Sequence, residues 1–329
     1  MRVGILGTDF IHALEYGSVI SPRSGSTAAM IEVPPLDPEL EHRLGQYRCP
    51  GATEPSERWT RSDLEKEPSL RGVDLVAIWG EDPIATKTMA DQLAGPNVLR
   101  TPEEMQGAVD AVLVCAREAA VHYELAMPFI STGTHVFIDK PFTTSVPQAQ
   151  EMISESQKKG GMLFSSSPWK WAPVVRDLRS NFSKLGEPRA VCVAAPAARD
   201  YAFYLSHSIE TLQYVMGDGA SHVSCYEVPY GYSMRIDYKG GQVGSINAFR
   251  GTSWYRHVIA YGVDGYMEAD ITNGQRDEGK IQTVVEFFRA IASGTPPVPF
   301  SYLEEATRIL SAGAMSISRA GAKVSLDQL

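Results

Sequence analysis

Unbroken apolar runs recur along the first half of this chain, and each is followed by a helical stretch. "RVGIL" (2–6), "VDLVAIWG" (73–80), "VDAVLVCA" (109–116), "HVFIDKP" (135–141) and "MLFSSS" (162–167) lack the alternation of a half-exposed strand. They suit strands buried on both faces, as in a parallel sheet. Between them, "IHALEYGSVI", "PIATKTMADQLA" with Pro83 at its start, "AAVHYELAMPFISTG" closed by Gly133, and "TSVPQAQEMISESQKKGG" read as helices. In the last of these Thr144 or Ser145 is the expected cap and Gly160 the stop. The rhythm predicts an α/β fold with a doubly wound parallel sheet, whose ligands sit beyond the carboxyl ends of the strands.

Residues 21–72 interrupt the rhythm with "SPRSGSTAAM", "EVPPLDPELEH" and "CPGATEPSERW". A connection this long inside a βα unit is either a functional lid or an excursion away from any ligand. The second half reads differently. "WAPVVRDLRSNFSK" (171–184) is a helix, "EPRAVCVAAP" a strand and "LSHSIETLQYVMG" (205–217) a helix. The alternating runs "HVSCYEV", "YSMRIDY", "QVGSINAF", "RHVIAYG" and "GYMEADI" then predict antiparallel strands, closed by two amphipathic helices. The expected division is residues 1–143 plus about 144–170 in the first domain and 171–329 in a second α+β domain. That second domain holds a mostly antiparallel sheet with one face covered by helices and one open to a partner subunit.

A formal net charge of −9 without a basic stripe argues against nucleic-acid and anionic-membrane surfaces. Cys49, Cys115, Cys192 and Cys225 lie far apart without a CxxC pair, which favours free thiols in a reducing cytoplasm, with Cys115 and Cys192 buried. No spaced set of His, Cys and carboxylates suggests a metal. "FSSSP" lacks the glycine elbow of a serine hydrolase.

The turn after the first strand matters most for a ligand. "GILGTDFIH" has the strand, turn and helix start that hold a dinucleotide pyrophosphate, but Asp9 and His12 occupy the second and third glycine places counted from Gly7. Gly7 permits the tight turn. Asp9 is expected to cap the helix and turn its charge away, and His12 to contact a phosphate or the substrate. The second strand ends in Gly80 rather than an acid, followed by Glu81 and Asp82, whose charge disfavours a 2′-phosphate and so favours NAD over NADP. The sharpest motif is "HVFIDKPFTTS". Lys140 follows a buried strand at the ligand edge, flanked by Asp139 and Pro141, where a lysine can hydrogen-bond a hydroxyl and relay its proton.

These residues resemble the Gfo/Idh/MocA family, that is, glucose-fructose oxidoreductase, inositol dehydrogenase and relatives, in a variant with a GTD-x-x-H start. "GILGTD", "VDAVLVCA", "GTHVFIDKPFTTS", "KLGEPRAV", "HSIETLQYVMG" and "FFRAIASGTPPVPFSYLEEATRILSA" follow the family's order over nearly all of the chain outside 21–72. Asp139-Lys140-Pro141 stands for its Glu-Lys-Pro. The resemblance implies a Rossmann domain and an NAD(P)-dependent oxidoreductase acting on a sugar, polyol or related carbinol, as a homodimer or homotetramer. It makes Lys140 and His207 the catalytic candidates. Gly7, Thr8, Asp9, Phe10, His12, Gly80, Glu81, Arg117, Asp139 and Lys140 become the cofactor-binding candidates, and His122 matches a loop–helix histidine that reads as structural. Trp169, Lys170 and Trp171, in "WKWAP", join Tyr204 and His207 as substrate candidates, since tryptophan faces stack on sugar rings.

The departures keep two other readings open. Relatives often carry an aspartate one turn before the helix histidine, where this chain has Phe203; Asp200 and Glu210 lie nearby, and Glu210, one turn after His207, is either a substitute or a capping or surface residue. A non-redox relative that binds a ligand or serves as an accessory subunit is one alternative. A lyase or hydrolase using bound NAD without net redox change is the other.

Overall fold

The computed structural model describes residues 1–21, 59–197, 200–252 and 255–329. Cys49 and most of the 21–72 stretch, with both readings of it, lie outside the described residues. The chain divides into two compact units. Met1–Asp139, Glu151–Ser165 and Lys280–Pro297 form the first; Lys140–Gln150, Ser166–Gly279 and Val298–Leu329 form the second.

The first unit is built on strands β1 (Arg2–Leu6), β2 (Asp74–Trp79), β3 (Asn97–Val98), β4 (Ala111–Val114), β5 (His135–Asp139) and β6 (Leu163–Ser166). Their order is β3-β2-β1-β4-β5-β6, the doubly wound parallel arrangement that the apolar runs predict. Every residue of β4 is buried, as are Val3, Ile5, Leu6 and Ile78. The connecting helices are α1 (His12–Ile20), α2 (Arg61–Lys66), α3 (Pro83–Gln92), α4 (His122–Ile130) and α5 (Val146–Lys159). β3 has no counterpart among the expected strands. It has two residues, both exposed, and no apolar run announces it.

The second unit carries α6 (Pro173–Asn181), β7 (Pro188–Pro196), α7 (Tyr201–Met216), β8 (Ala220–Val228), β9 (Gly231–Tyr238), β10 (Val243–Phe249), β11 (His257–Gly262) and β12 (Gly265–Asp270). After α8 (Asn273–Ser293) come α9 (Phe300–Ser318) and β13 (Val324–Ser325). Its sheet runs β12-β11-β7-β10-β9-β8-β13 and is antiparallel except for the β7–β10 pair. Met234, Ile236, Ile246, Val258 and Ala260 point into a core shared with Leu205, Ile209 and Leu212 of α7 and Ile309 and Leu310 of α9. The opposite face carries Ser233, Arg235, Ser245 and Asn247. α7 starts four residues before the expected Leu205, because Asp200 accepts a hydrogen bond from the Phe203 N–H and caps the helix.

Three segments depart from a division near residue 170: 140–150 and 166–170 belong to the second unit, and part of α8 belongs to the first. Lys280–Pro297, the main part of α8, packs with the first unit. Phe287 stacks on Phe164 at 6.3 Å and lies 5.9 Å from Phe137, and Arg289 pairs with Glu67 at 2.7 Å. Of the described cysteines Cys115 and Cys225 are buried thiols, while Cys192 is only half-buried, because its strand position turns it toward the polar face.

Candidate active site

The turn from β1 to α1 depends on Gly7. Its φ is +91°, and a Cβ there would come 2.6 Å from Ala116 Cα, so no side chain fits. The Gly7 N–H is spent on the Trp79 carbonyl at 2.8 Å. Asp9 does not cap α1. Ile11 holds the N-cap position without a side-chain hydrogen bond, and the exposed Asp9 carboxylate instead accepts the Arg117 N–H at 3.1 and 3.3 Å. Ile11 at the N-cap offers no side-chain acceptor, the Ala13 N–H reaches the Phe10 carbonyl at 3.3 Å, and a backbone donor engages the Asp9 carboxylate. A glycine turn leading from a strand into a helix start is the place where a dinucleotide pyrophosphate is held.

Thr8 and Gly80 form a packing pair. Thr8 is buried, its Oγ1 2.7 Å from Thr86 Oγ1, and a Cβ on Gly80 would run into both hydroxyls. Thr8 thus occupies the space that a side chain ending β2 would need. Asp82 is spent on capping α3, accepting the Ile84 and Ala85 N–H groups, which leaves the exposed Glu81 beside this edge of the sheet. Phe10 is buried, with its ring edge-on to His12 at 4.5 Å. His122 is fully buried with Nε2 2.7 Å from the Ala116 carbonyl, a structural contact.

His12 and Asp139 face inward, against the expectation that they meet a cofactor. His12 Nδ1 lies 2.7 Å from Asp139 Oδ2, and the Tyr16 hydroxyl donates to Asp139 Oδ1 at 3.0 Å. His12 Nε2 is 3.7 Å from Glu15 Oε2, and Glu15 pairs with Lys280. All five side chains are buried. A carboxylate taken out of water needs such partners, which explains why the imidazole turns to it rather than to a ligand. Burial, then the neighbouring Asp139, pushes the Tyr16 phenol well above its ordinary range, so Tyr16 stays a neutral donor.

In the second unit, Lys140 is fully buried and its Nζ lies 2.8 Å from the centroid of the Phe203 ring. The Lys140–Pro141 peptide is cis. Phe203 and His207 are one turn apart on α7, with rings 6.1 Å apart. Tyr204 is half-buried, edge-on to Phe203 at 5.2 Å.

The "WKWAP" segment is buried, as are Lys140 and His207. Trp169 is 3% exposed and stacks on His207 with centroids 4.3 Å apart and planes within 8°. The Arg256 guanidinium lies 5.3 Å from the same ring. Lys170 Nζ is 3.0 Å from Glu210 Oε2, and both are buried. Trp171 donates to Ser166 Oγ at 2.7 Å. Glu210 also accepts the Ser167 N–H at 2.7 Å, and Ser167 Oγ lies 2.8 Å from His207 Nδ1. Sequence reasoning missed Ser167: it stands forty residues before the histidine it touches, and only the fold brings the two together.

Comparison with known proteins agrees with this architecture. Residues 54–167 match the family model GFO_IDH_MocA, described as an oxidoreductase family with an NAD-binding Rossmann fold. The scyllo-inositol 2-dehydrogenase (NADP(+)) IolU of Bacillus subtilis (strain 168) is 26% identical over 128 residues, which is 38% of this chain and 39% of that relative's length. The myo-inositol 2-dehydrogenase of Thermotoga maritima is 23% identical, with 64% of this chain and 78% of the relative covered. The crystal structure of a probable dehydrogenase from Thermotoga maritima superimposes with a TM-score of 0.76 at 16% identity, over 100% of this chain and 99% of that one. At that identity the likeness is one of fold.

Proposed function

We propose that this chain, a member of the Gfo/Idh/MocA oxidoreductase family, interconverts a carbinol and a carbonyl on a polyol or sugar with NAD or NADP as the redox partner. The observation that carries the reading is the Gly7 turn: a glycine at φ +91° with no room for a side chain stands where the strand turns into α1, and Ile11 at the N-cap makes no side-chain hydrogen bond. Gly7, Thr8 and Phe10 would shape the pyrophosphate turn with the Arg117 backbone, and Glu81 would meet the ribose. The bound nicotinamide supplies hydride exchange at the reacting carbon. Ring polyols head the substrate class, since both aligned relatives are named as inositol dehydrogenases.

Lys140 is the proposed group that hydrogen-bonds the reacting hydroxyl and exchanges its proton. His207 is the second proton-handling candidate. With Nδ1 engaged by Ser167, its exchange with a substrate passes through Nε2. The half-buried Tyr204 lines the same helix turn. The polar face of the second sheet is the proposed contact of a homodimer.

Phe203, in place of a carboxylate, favours one second reading, a non-redox relative that only binds its ligand. Calorimetric titration of nucleotide-free protein with NADH and NADPH, followed by an oxidation screen over inositols and sugars, separates the two. Micromolar nucleotide binding with polyol-dependent reduction supports the oxidoreductase. Absence of both sinks it in favour of the ligand-binding reading.

A further inference from the structure

We propose that His12 is a positioning residue for Lys140, acting through the Asp139 carboxylate. The inference rests on the reading above that Lys140 handles the substrate proton.

Both oxygens of Asp139 are gripped from one face of α1. His12 takes Oδ2 at 2.7 Å and Tyr16 takes Oδ1 at 3.0 Å. The two donors are four residues apart, the spacing that stacks side chains on a helix face. On its far side His12 Nε2 lies 3.7 Å from Glu15 Oε2, beyond hydrogen-bond reach, and Glu15 is itself paired with Lys280 of α8. Asp139 is the last residue of β5, and the next Cα along the chain is that of Lys140. Fixing the carboxylate at two points fixes the direction in which the chain leaves the strand. A misplacement of about 1 Å at a reacting group costs up to about 10²-fold in rate.

The third-glycine place is thereby given a new use. Glycine there allows close packing of helix on strand. Here the side chain reaches a different strand and holds its end. A residue that merely filled space would not need a ring nitrogen 2.7 Å from a buried carboxylate oxygen.

The test compares the full-length wild type with His12→Met, which fills the volume without a donor, and His12→Asn, whose amide donates without a ring. Amide hydrogen exchange of the segment spanning Ile138–Thr143 is measured by mass spectrometry, and polyol turnover in parallel. The expected result is exchange at least about 10-fold faster at Lys140 and Phe142 in His12→Met, with β8 and β9 unchanged and wild-type protection kept in His12→Asn. In turnover, His12→Met lowers kcat at least about 10-fold with the nucleotide KM within about threefold, and His12→Asn restores most of it. If His12→Met does not fold, Tyr16→Phe removes one of the two grips, and faster exchange at the same amides is expected there. His12→Met or Tyr16→Phe exchanging like the wild type overturns the proposal. Changed exchange with unchanged kcat also overturns it, because Lys140 would then not need the grip. A wild type without turnover on any polyol instead removes the functional reading, and the exchange result still decides whether Asp139 is held.

Discussion

The Lys140 ammonium nitrogen lies 2.8 Å from the centre of the Phe203 ring, one helical turn before His207. The negative face of an aromatic ring attracts a cation, and the attraction grows when water is excluded, as around this fully buried lysine. An aromatic face thus meets Lys140 one helical turn before His207.

Lys140→Met keeps the length and apolar stem of the side chain and removes its proton chemistry. The expected outcome is a loss of turnover of roughly 10²–10⁴-fold with NADH affinity nearly unchanged. Steady-state kinetics beside a nucleotide titration checks it. A variant that still turns over like the wild type would remove Lys140 from the reaction.

Gly7→Ala is expected to strike both fold and ligand. The residue sits at φ +91°, which strains any L side chain by roughly 1–3 kcal/mol, and the added carbon meets the Ala116 backbone. A lowered melting temperature together with lost nucleotide binding is the predicted pair of results. Normal binding in the variant would show that the turn does not hold the pyrophosphate.

Lys170 and Glu210 form a buried ion pair at 3.0 Å, and removing one member leaves the other charged in the interior. Lys170→Met or Glu210→Gln alone is expected to cost about 3–5 kcal/mol in urea unfolding. The double variant Lys170→Met with Glu210→Gln should cost less than the sum of the two single costs. Strict additivity would mean the two side chains are energetically independent.

Glu67 links stability to pH within the first unit. Burial pushes its carboxyl up, but hydrogen bonds from Arg289 and Ser69 outweigh burial and hold it below its ordinary value. A carboxyl whose folded pKa is depressed favours the folded state above its unfolded pKa, near 4.3. That contribution fades as pH falls through the lower, folded value. Arg289→Gln should therefore destabilise the protein at pH 7 and leave it close to the wild type once Glu67 is protonated in both states. Urea melts at pH 7 and across the acid range distinguish this from a pH-independent loss.

The amino-acid sequence by itself determined the βα rhythm, the two-domain order and the place of Lys140 at a strand end. Each of those is written in contiguous residues: apolar runs long enough to cross a buried sheet, caps, and turn glycines. It also marked Gly7, whose neighbours in the chain announce a tight turn. The tertiary structure alone decided the partners. His12 meets Asp139 across 127 positions, Ser167 meets His207 across 40, and Lys280 meets Glu15 across 265. Trp169 reads equally well as a sugar platform or as core, and only its stacking on His207 placed it inside. Buried polar groups must find partners wherever the fold brings them, and no local pattern records which distant residue that will be.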